Sequence, residues 1–370
     1  MIKRTRSAGA LVLLGLTSPL AVLAQPAATP ASPPSPPPEG ALVRYPTNAR
    51  VAKMGEIAPP PEVSDWVKGE KVTTFEPGKA YIIEFWATWC GPCVGNMPHL
   101  TRLQNRYRDK GLTIIGVSSA DRGGVADVKP FVDKQGSRMN YTVAVDDQYK
   151  TGDTYLSATG QTSIPVAYLI DKSGKLVWFG HPQGGLDDVL VEVMAGTFDA
   201  GAFTKRQEAV REHSQRIQQA MGTQEWDTAE KELLDIERLY PAQAADAEMG
   251  RVVVGYAYKK DKPTAVTLCG KLVDGVLKDD FDRLVQLAEM IANDTDPPAA
   301  AKDLALKIAE RLVAIAQDDQ VTAYTTLADV RQSRGEHDLA VAAQQKALAA
   351  SSEYDRKGQE LKLTQLQSRK

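Results

Sequence analysis

Two cysteines, Cys90 and Cys93, enclose Gly91 and Pro92 where a strand-forming run gives way to a helical one. The chain has three cysteines in all, the other being Cys269, and four histidines, scattered singly. A structural zinc site takes four sulfur or imidazole ligands, often as two close pairs, and the sequence offers no second pair, so no metal is expected. A permanent staple across so short a loop contributes little, because the stabilisation grows with the length of loop closed. Reversible thiol–disulfide exchange remains. A close pair suits it, since the second thiol is always at hand to release a mixed disulfide. Cys90 should sit at a helix N-terminus, where free amide N–H groups and the macrodipole favour thiolate over thiol. Attacking thiols in such pairs titrate at about 7, against about 8.5 for free cysteine. Cys93, one turn inside the helix, is better shielded. The roles therefore separate: Cys90 attacks and Cys93 resolves.

The elements that must position this pair are legible on either side of it. Tyr81 to Trp86 (YIIEFW) is β-branched and aromatic, as a buried strand should be. Val94 to Arg108 carries Met97, Leu100, Leu103 and Tyr107 at helical spacing, and Gly111 ends it. Leu112 to Val117 predicts a second central strand, Val125 to Lys134 a helix, and Tyr141 to Val145 a short strand. Val166 to Ile170 and Lys175 to Phe179 flank Asp171-Lys172-Ser173-Gly174, a hairpin by its turn chemistry. Leu186 to Met194 closes the region as a helix. Strands alternating with helices predict an α/β sandwich, a mixed sheet flanked by helices.

From about Phe203 the strand signals stop, and Ala, Leu, Glu, Lys, Gln and Arg dominate. Two stretches, Trp226-Ala229-Leu233-Ile236-Pro241 and Leu327-Ala328-Gly335-Ala340-Ala347, resemble the tetratricopeptide pattern of helical pairs. Gln344 is polar where that pattern wants a bulky apolar side chain. An ordinary helical bundle is the competing reading. Cys269, in the apolar setting VTLCGKLV, reads as a buried small hydrophobe, with an intermolecular disulfide as the sharper alternative.

The octet Trp86-Ala87-Thr88-Trp89-Cys90-Gly91-Pro92-Cys93 resembles the active site of the thioredoxin superfamily, most closely its exported TlpA/ResA-like reductases. The resemblance runs from about Val43 to Gly196. It implies that Glu84 is the buried acid that takes the proton of the resolving thiol. It implies also that Pro98 kinks the active-site helix and that Ile164-Pro165 is a cis-proline loop beside the cysteines. A carboxyl on a central strand should have a raised pKa. The backbone of Ile164 could pair with a substrate chain like a short added strand. Trp89, Gly91 and Pro92 fall on the substrate-facing surface, and His99 and His181 are further candidates to line it. Thioredoxin's lysine near the buried acid has no counterpart in Thr113-Ile114-Ile115-Gly116. No cofactor is expected.

The chain of 370 residues opens with Lys3, Arg4 and Arg6, an apolar run from Ala8 to Leu16, and Val22-Leu23-Ala24, the pattern of a signal peptide over 1–24. An uncleaved anchor is the alternative. Residues 25–42 form a proline-rich linker, 43–200 the thioredoxin-like domain and 201–370 an all-α helical-repeat domain. A net charge of −3 with mixed signs gives no basic footprint for nucleic acid. The expected protein is an exported, periplasmic thiol–disulfide oxidoreductase. Gly91-Pro92 places it at the reducing end, acting on disulfide-containing proteins and recharged by a membrane electron donor, with the helical part holding a peptide or protein partner. A redox-tethered binding adaptor and a thiol peroxidase are the competing functions.

Overall fold

A computed structural model describes residues 51–317 and 319–368; the expected signal peptide and linker lie outside them. The first half carries a six-stranded mixed sheet in the order β1-β4-β3-β2-β5-β6. Its strands are β1 (Val63–Lys68), β2 (Ala80–Trp86), β3 (Leu112–Ser118), β4 (Thr142–Asp146), β5 (Val166–Ile170) and β6 (Leu176–Gly180). β2, β3 and β4 run parallel, and β1, β5 and β6 are antiparallel to their neighbours. Every residue of β2 is buried, because helices or loops cover both faces of the strand.

The alternation of side chains along β2 divides the core in two. Ile82 and Trp86 face a layer built from α1 (Gly91–Tyr107), α2 (Val125–Gln135) and α4 (Leu186–Ala195). Tyr81, Ile83 and Phe85 face α3 (Lys150–Tyr155) and the segment ahead of β1, with Tyr155, Tyr168, Ala52 and Ala58. The turn between β5 and β6 forms as its residues require: the Asp171 carboxylate accepts from the N–H groups of Ser173 and Lys175, and Gly174 takes a φ of +83°.

The second half is helical throughout its described residues. It comprises α5 (Ala200–Gly222), α6 (Trp226–Leu239), α7 (Ala244–Val253), α8 (Lys262–Asp274), α9 (Phe281–Ala292), α10 (Ala299–Ile315), α11 (Gln320–Ser333), α12 (His337–Ala350) and α13 (Glu353–Gln367). A single π-helical turn, Val254–Tyr258, follows α7. Small residues let these helices approach closely: Ala323, Ala328, Ala340 and Ala347 are all fully buried. The polar Gln344 is fully buried too. It survives there by donating from Nε2 to Gln359 Oε1 at 2.6 Å, which ties α12 to α13. Cys269 is an unpaired thiol inside the helical core, and burial pushes it up to about 12.

The halves are joined by more than the chain between them. Arg138 donates to Asp355 on α13 at 2.7 Å, and Phe131 on α2 meets Tyr354 edge-on at 5.8 Å. On the other side, α1 is tied to α9 and α11 through His99 and Arg102.

Candidate active site

Cys90 is the N-cap of α1, with extended backbone (φ −81°, ψ 94°), and its sulfur accepts from the Cys93 N–H at 3.3 Å. Pro92 occupies the first turn, where a missing N–H costs nothing. The two sulfurs are joined as a disulfide, with Cα atoms 5.3 Å apart. Cys90 is 5% exposed and Cys93 1%. The order is that expected from their helix positions, but the gap is narrower. The loop with the cis Ile164–Pro165 bond packs against the first cysteine, with Cys90 Sγ 3.9 Å from the Ile164 carbonyl oxygen. An oxidised sulfur has no proton to donate, so this is a packing contact.

The loop ahead of the pair is pinned by Asp121. Its carboxylate accepts from the Thr88 N–H, from the Thr88 hydroxyl at 2.6 Å and from the Ser118 hydroxyl at 2.6 Å. No motif in the sequence singles out Asp121, because its partners meet it only through the loop's path. The two tryptophans separate cleanly. Trp86 is wholly buried against Phe131. Trp89 is 67% exposed, its Nε1 donating to the Ala120 carbonyl at 3.4 Å, and it leaves a bare aromatic surface next to Cys90.

Pro98 lies inside α1 and has no N–H for the carbonyl of Val94, four residues back. The vacancy is filled: Arg138 donates to that carbonyl at 3.3 Å while it holds Asp355. The proline of the active-site helix is thus satisfied by a side chain that the C-terminal helix tethers.

Glu84 points to the same face of β2 as Ile82 and Trp86, the face that carries the cysteines. It is 1% exposed, its Oε1 has no hydrogen-bond partner, and burial pushes its carboxyl up to about 8. At neutral pH it holds a proton that it can give up or take back. Its register neighbours are Gly116 on β3 and Ala167 on β5. A Cβ on Gly116 would stand 3.0 Å from the Tyr141 ring and 3.1 Å from Trp86 Nε1. That crowding explains why no lysine stands here: the volume beside the acid is taken by two aromatic rings. The Tyr141 hydroxyl is itself buried without a partner, and burial and the Glu84 charge raise its pKa.

His99, six residues beyond Cys93 in α1, is buried between carboxylates. Its Nδ1 is 3.0 Å from Asp282 Oδ2. Its Nε2 is 3.1 Å from Asp187 Oδ1, close enough for an ion pair though not aligned as a hydrogen bond. Burial opposes the imidazolium, but Asp187 and Asp282 outweigh it and push His99 up to about 10. Arg102 donates to Asp282 and, at 2.7 Å, to Asp319 Oδ2. His99 therefore clamps α1 to the helical half, and together with His181 it lines a cleft beside Pro92. His181 accepts from the Gln183 N–H at 3.2 Å, and burial and the His99 charge lower its pKa.

Residues 54–179 match the AhpC/TSA family. Thiol-disulfide oxidoreductase ResA of Bacillus anthracis is 37% identical over 126 residues, which are 34% of this chain and 68% of that protein. Protein FixW of Rhizobium leguminosarum is 26% identical over 152 residues, 40% of this chain and 68% of its own. Among solved structures, a thiol:disulfide interchange protein of the thioredoxin family from Chlorobium tepidum TLS is 26% identical. It covers 38% of this chain and 99% of its own, at a TM-score of 0.31. A paired Cys-Gly-Pro-Cys at a helix start, and ResA matched over two thirds of its length, agree: the chain belongs to the ResA-type thiol-disulfide oxidoreductases of the thioredoxin-like fold.

Proposed function

We propose that the protein is an exported reductase of protein disulfides. The Cys90 thiolate attacks one sulfur of a substrate disulfide; a Cys90–substrate bond forms and the other substrate sulfur leaves as thiolate. In the fraction of molecules whose Glu84 has given up its proton, the carboxylate then accepts the proton of Cys93, which attacks Cys90 Sγ. The Cys90–Cys93 bond forms, the substrate leaves with its second thiol, and two electrons have passed to it. The Ile164 backbone and the exposed face of Trp89 hold the substrate strand while this happens. The observation that carries the reading is the Cys90–Cys93 bond at the head of α1, on the same sheet face as a buried carboxyl poised near neutrality.

Direction follows from Gly91-Pro92, the dipeptide of reducing members such as thioredoxin, at about −270 mV, against about −120 mV for the oxidant DsbA. Outside the cytoplasm the pair must be recharged by a membrane dithiol donor. Export rests on residues 1–24, and the working division is a redox unit over 43–200 and a partner-selecting helical unit over 201–370. The test is trapping. Cys93→Ser, expressed with its leader, should accumulate mixed disulfides on Cys90 with exported proteins. A measured potential above about −150 mV would reverse the direction.

A further inference from the structure

We propose that a cleft beside the cysteine helix binds a basic side chain, lysine or arginine, that the substrate polypeptide carries close to its disulfide. The cleft has a volume of about 420 Å³ and is walled by both halves of the molecule. Pro92, Gly95 and Asn96 of α1 line one side, so it begins between the two cysteines and runs along the helix they cap. The opposite wall is α9 and its neighbours.

The carboxylates around it fall into two groups. Asp187 and Asp282 are taken by His99; Asp282 and Asp319 by Arg102; Asp280 and one oxygen of Asp246 by Arg283, at 2.6 Å each. Three further acceptors stand outside these pairs. Asp246 is 5% exposed and its Oδ2 is unpartnered, as is the buried Gln286 Oε1. Asp188 makes no ion pair with any described residue, and burial together with the Asp246 charge pushes its carboxyl up to about 8. All three line the cleft. Buried acceptors left unpaired are costly, and what would satisfy them together is a cation with several N–H donors. An ammonium has three and a guanidinium five. No group of three or more His, Cys, Asp or Glu among the described residues is arranged to hold a metal ion, which favours the organic cation. A basic side chain drawn into the cleft would let Asp188 ionise.

The inference rests on the reading of Cys90–Cys93 as exchanging with protein disulfides, and two measurements separate them. The first uses a cysteine-free peptide bearing two lysines and an alanine counterpart, titrated into the full chain by calorimetry. The lysine peptide should bind one to one and the alanine peptide should not. Asp188→Asn and Glu289→Gln, both isosteric changes of cleft-lining acids outside the cysteine site, should each weaken binding about tenfold, the scale of one charge-assisted contact. The second reduces two cystine-bridged peptides that differ only in lysine or alanine beside the bridge. The reduced chain should prefer the lysine peptide about tenfold in kcat/KM. Asp188→Asn should lose that preference at an unchanged rate on the alanine peptide. Equal binding of both peptides overturns the proposal even where exchange proceeds, and so does undiminished binding by both variants. Selective binding without exchange supports the cleft while removing the reductase reading. Calcium bound in place of the peptide also overturns it.

Discussion

Replacing Glu84 by glutamine tests the central electrostatic claim, because it keeps the shape and removes the titration. In the folded chain the carboxyl is pushed up to about 8 from its ordinary 4.5 by burial alone. The folded protein therefore binds this proton more tightly than the unfolded chain, and stability must fall as pH rises between those values. The gap of about 3.5 pH units, at 1.36 kcal/mol each, amounts to about 5 kcal/mol. Below pH 4.5 both states hold the proton, and above 8 neither does, so the whole change lies inside that window. Urea unfolding of the disulfide form, followed by tryptophan fluorescence in steps from pH 5 to 9, measures it. The wild type should lose up to about 5 kcal/mol relative to Glu84→Gln across the series, with the variant the more stable at pH 9. Parallel stability curves for the two proteins would refute a buried, unpaired acid at this position. The kinetic counterpart is the release of a trapped substrate by Cys93: the ionised fraction of Glu84 accepts the thiol proton, its share grows as pH rises toward about 8, and the variant, with no carboxylate to ionise, should be slower by about 100-fold there.

Four further outcomes follow from contacts described above. Gly116→Ala drives a methyl into the Tyr141 and Trp86 rings and should cost about 1–3 kcal/mol by denaturant titration, the range for overpacking. Trp89→Ala removes an exposed ring, so thermal stability should move by no more than about 0.5 kcal/mol while kcat/KM on protein disulfides falls. Asp319→Asn keeps the helix cap to Thr322 but takes the charge from Arg102; the link between α1 and α11 should loosen, seen as faster limited proteolysis near residue 200. The His99 clamp should contribute fully below pH 6.5, because the imidazolium is held more tightly in the folded chain. That contribution is lost as pH climbs through about 10, read as a falling midpoint in alkaline melts.

The parts of the fold that could be read from residues alone are those where local chemistry dictates the element. YIIEFW is a central strand because nothing in it prefers water. The Asp-Lys-Ser-Gly turn folds back because Asp171 caps two amides and Gly174 accepts a positive φ. β1 escaped notice because its register shifts between Val63 and Asp65, and again between Trp66 and Lys68, break the alternation that marks a strand. The cysteine spacing pointed to Cys90 and Cys93 and the family resemblance to Glu84 and Pro165, but nothing singled out Asp121, whose partner Thr88 lies 33 residues away, or Arg138, whose partner Asp355 lies 217 away.

Residue order along the chain therefore settled the redox pair and the polarity of its helix, since an N-cap sulfur and its neighbour one turn on are four consecutive residues. Which groups surround that pair was decided only by packing. Glu84 holds its proton because six strands and their helices exclude water from it, and Gly116 is small because two distant rings converge there. The acids that share a cleft with Pro92 come from α4, α7, α9 and the caps of α9 and α11, and they meet only because α1 is held to the helical half. Desolvation and charge proximity act through space, and no short window of sequence carries either.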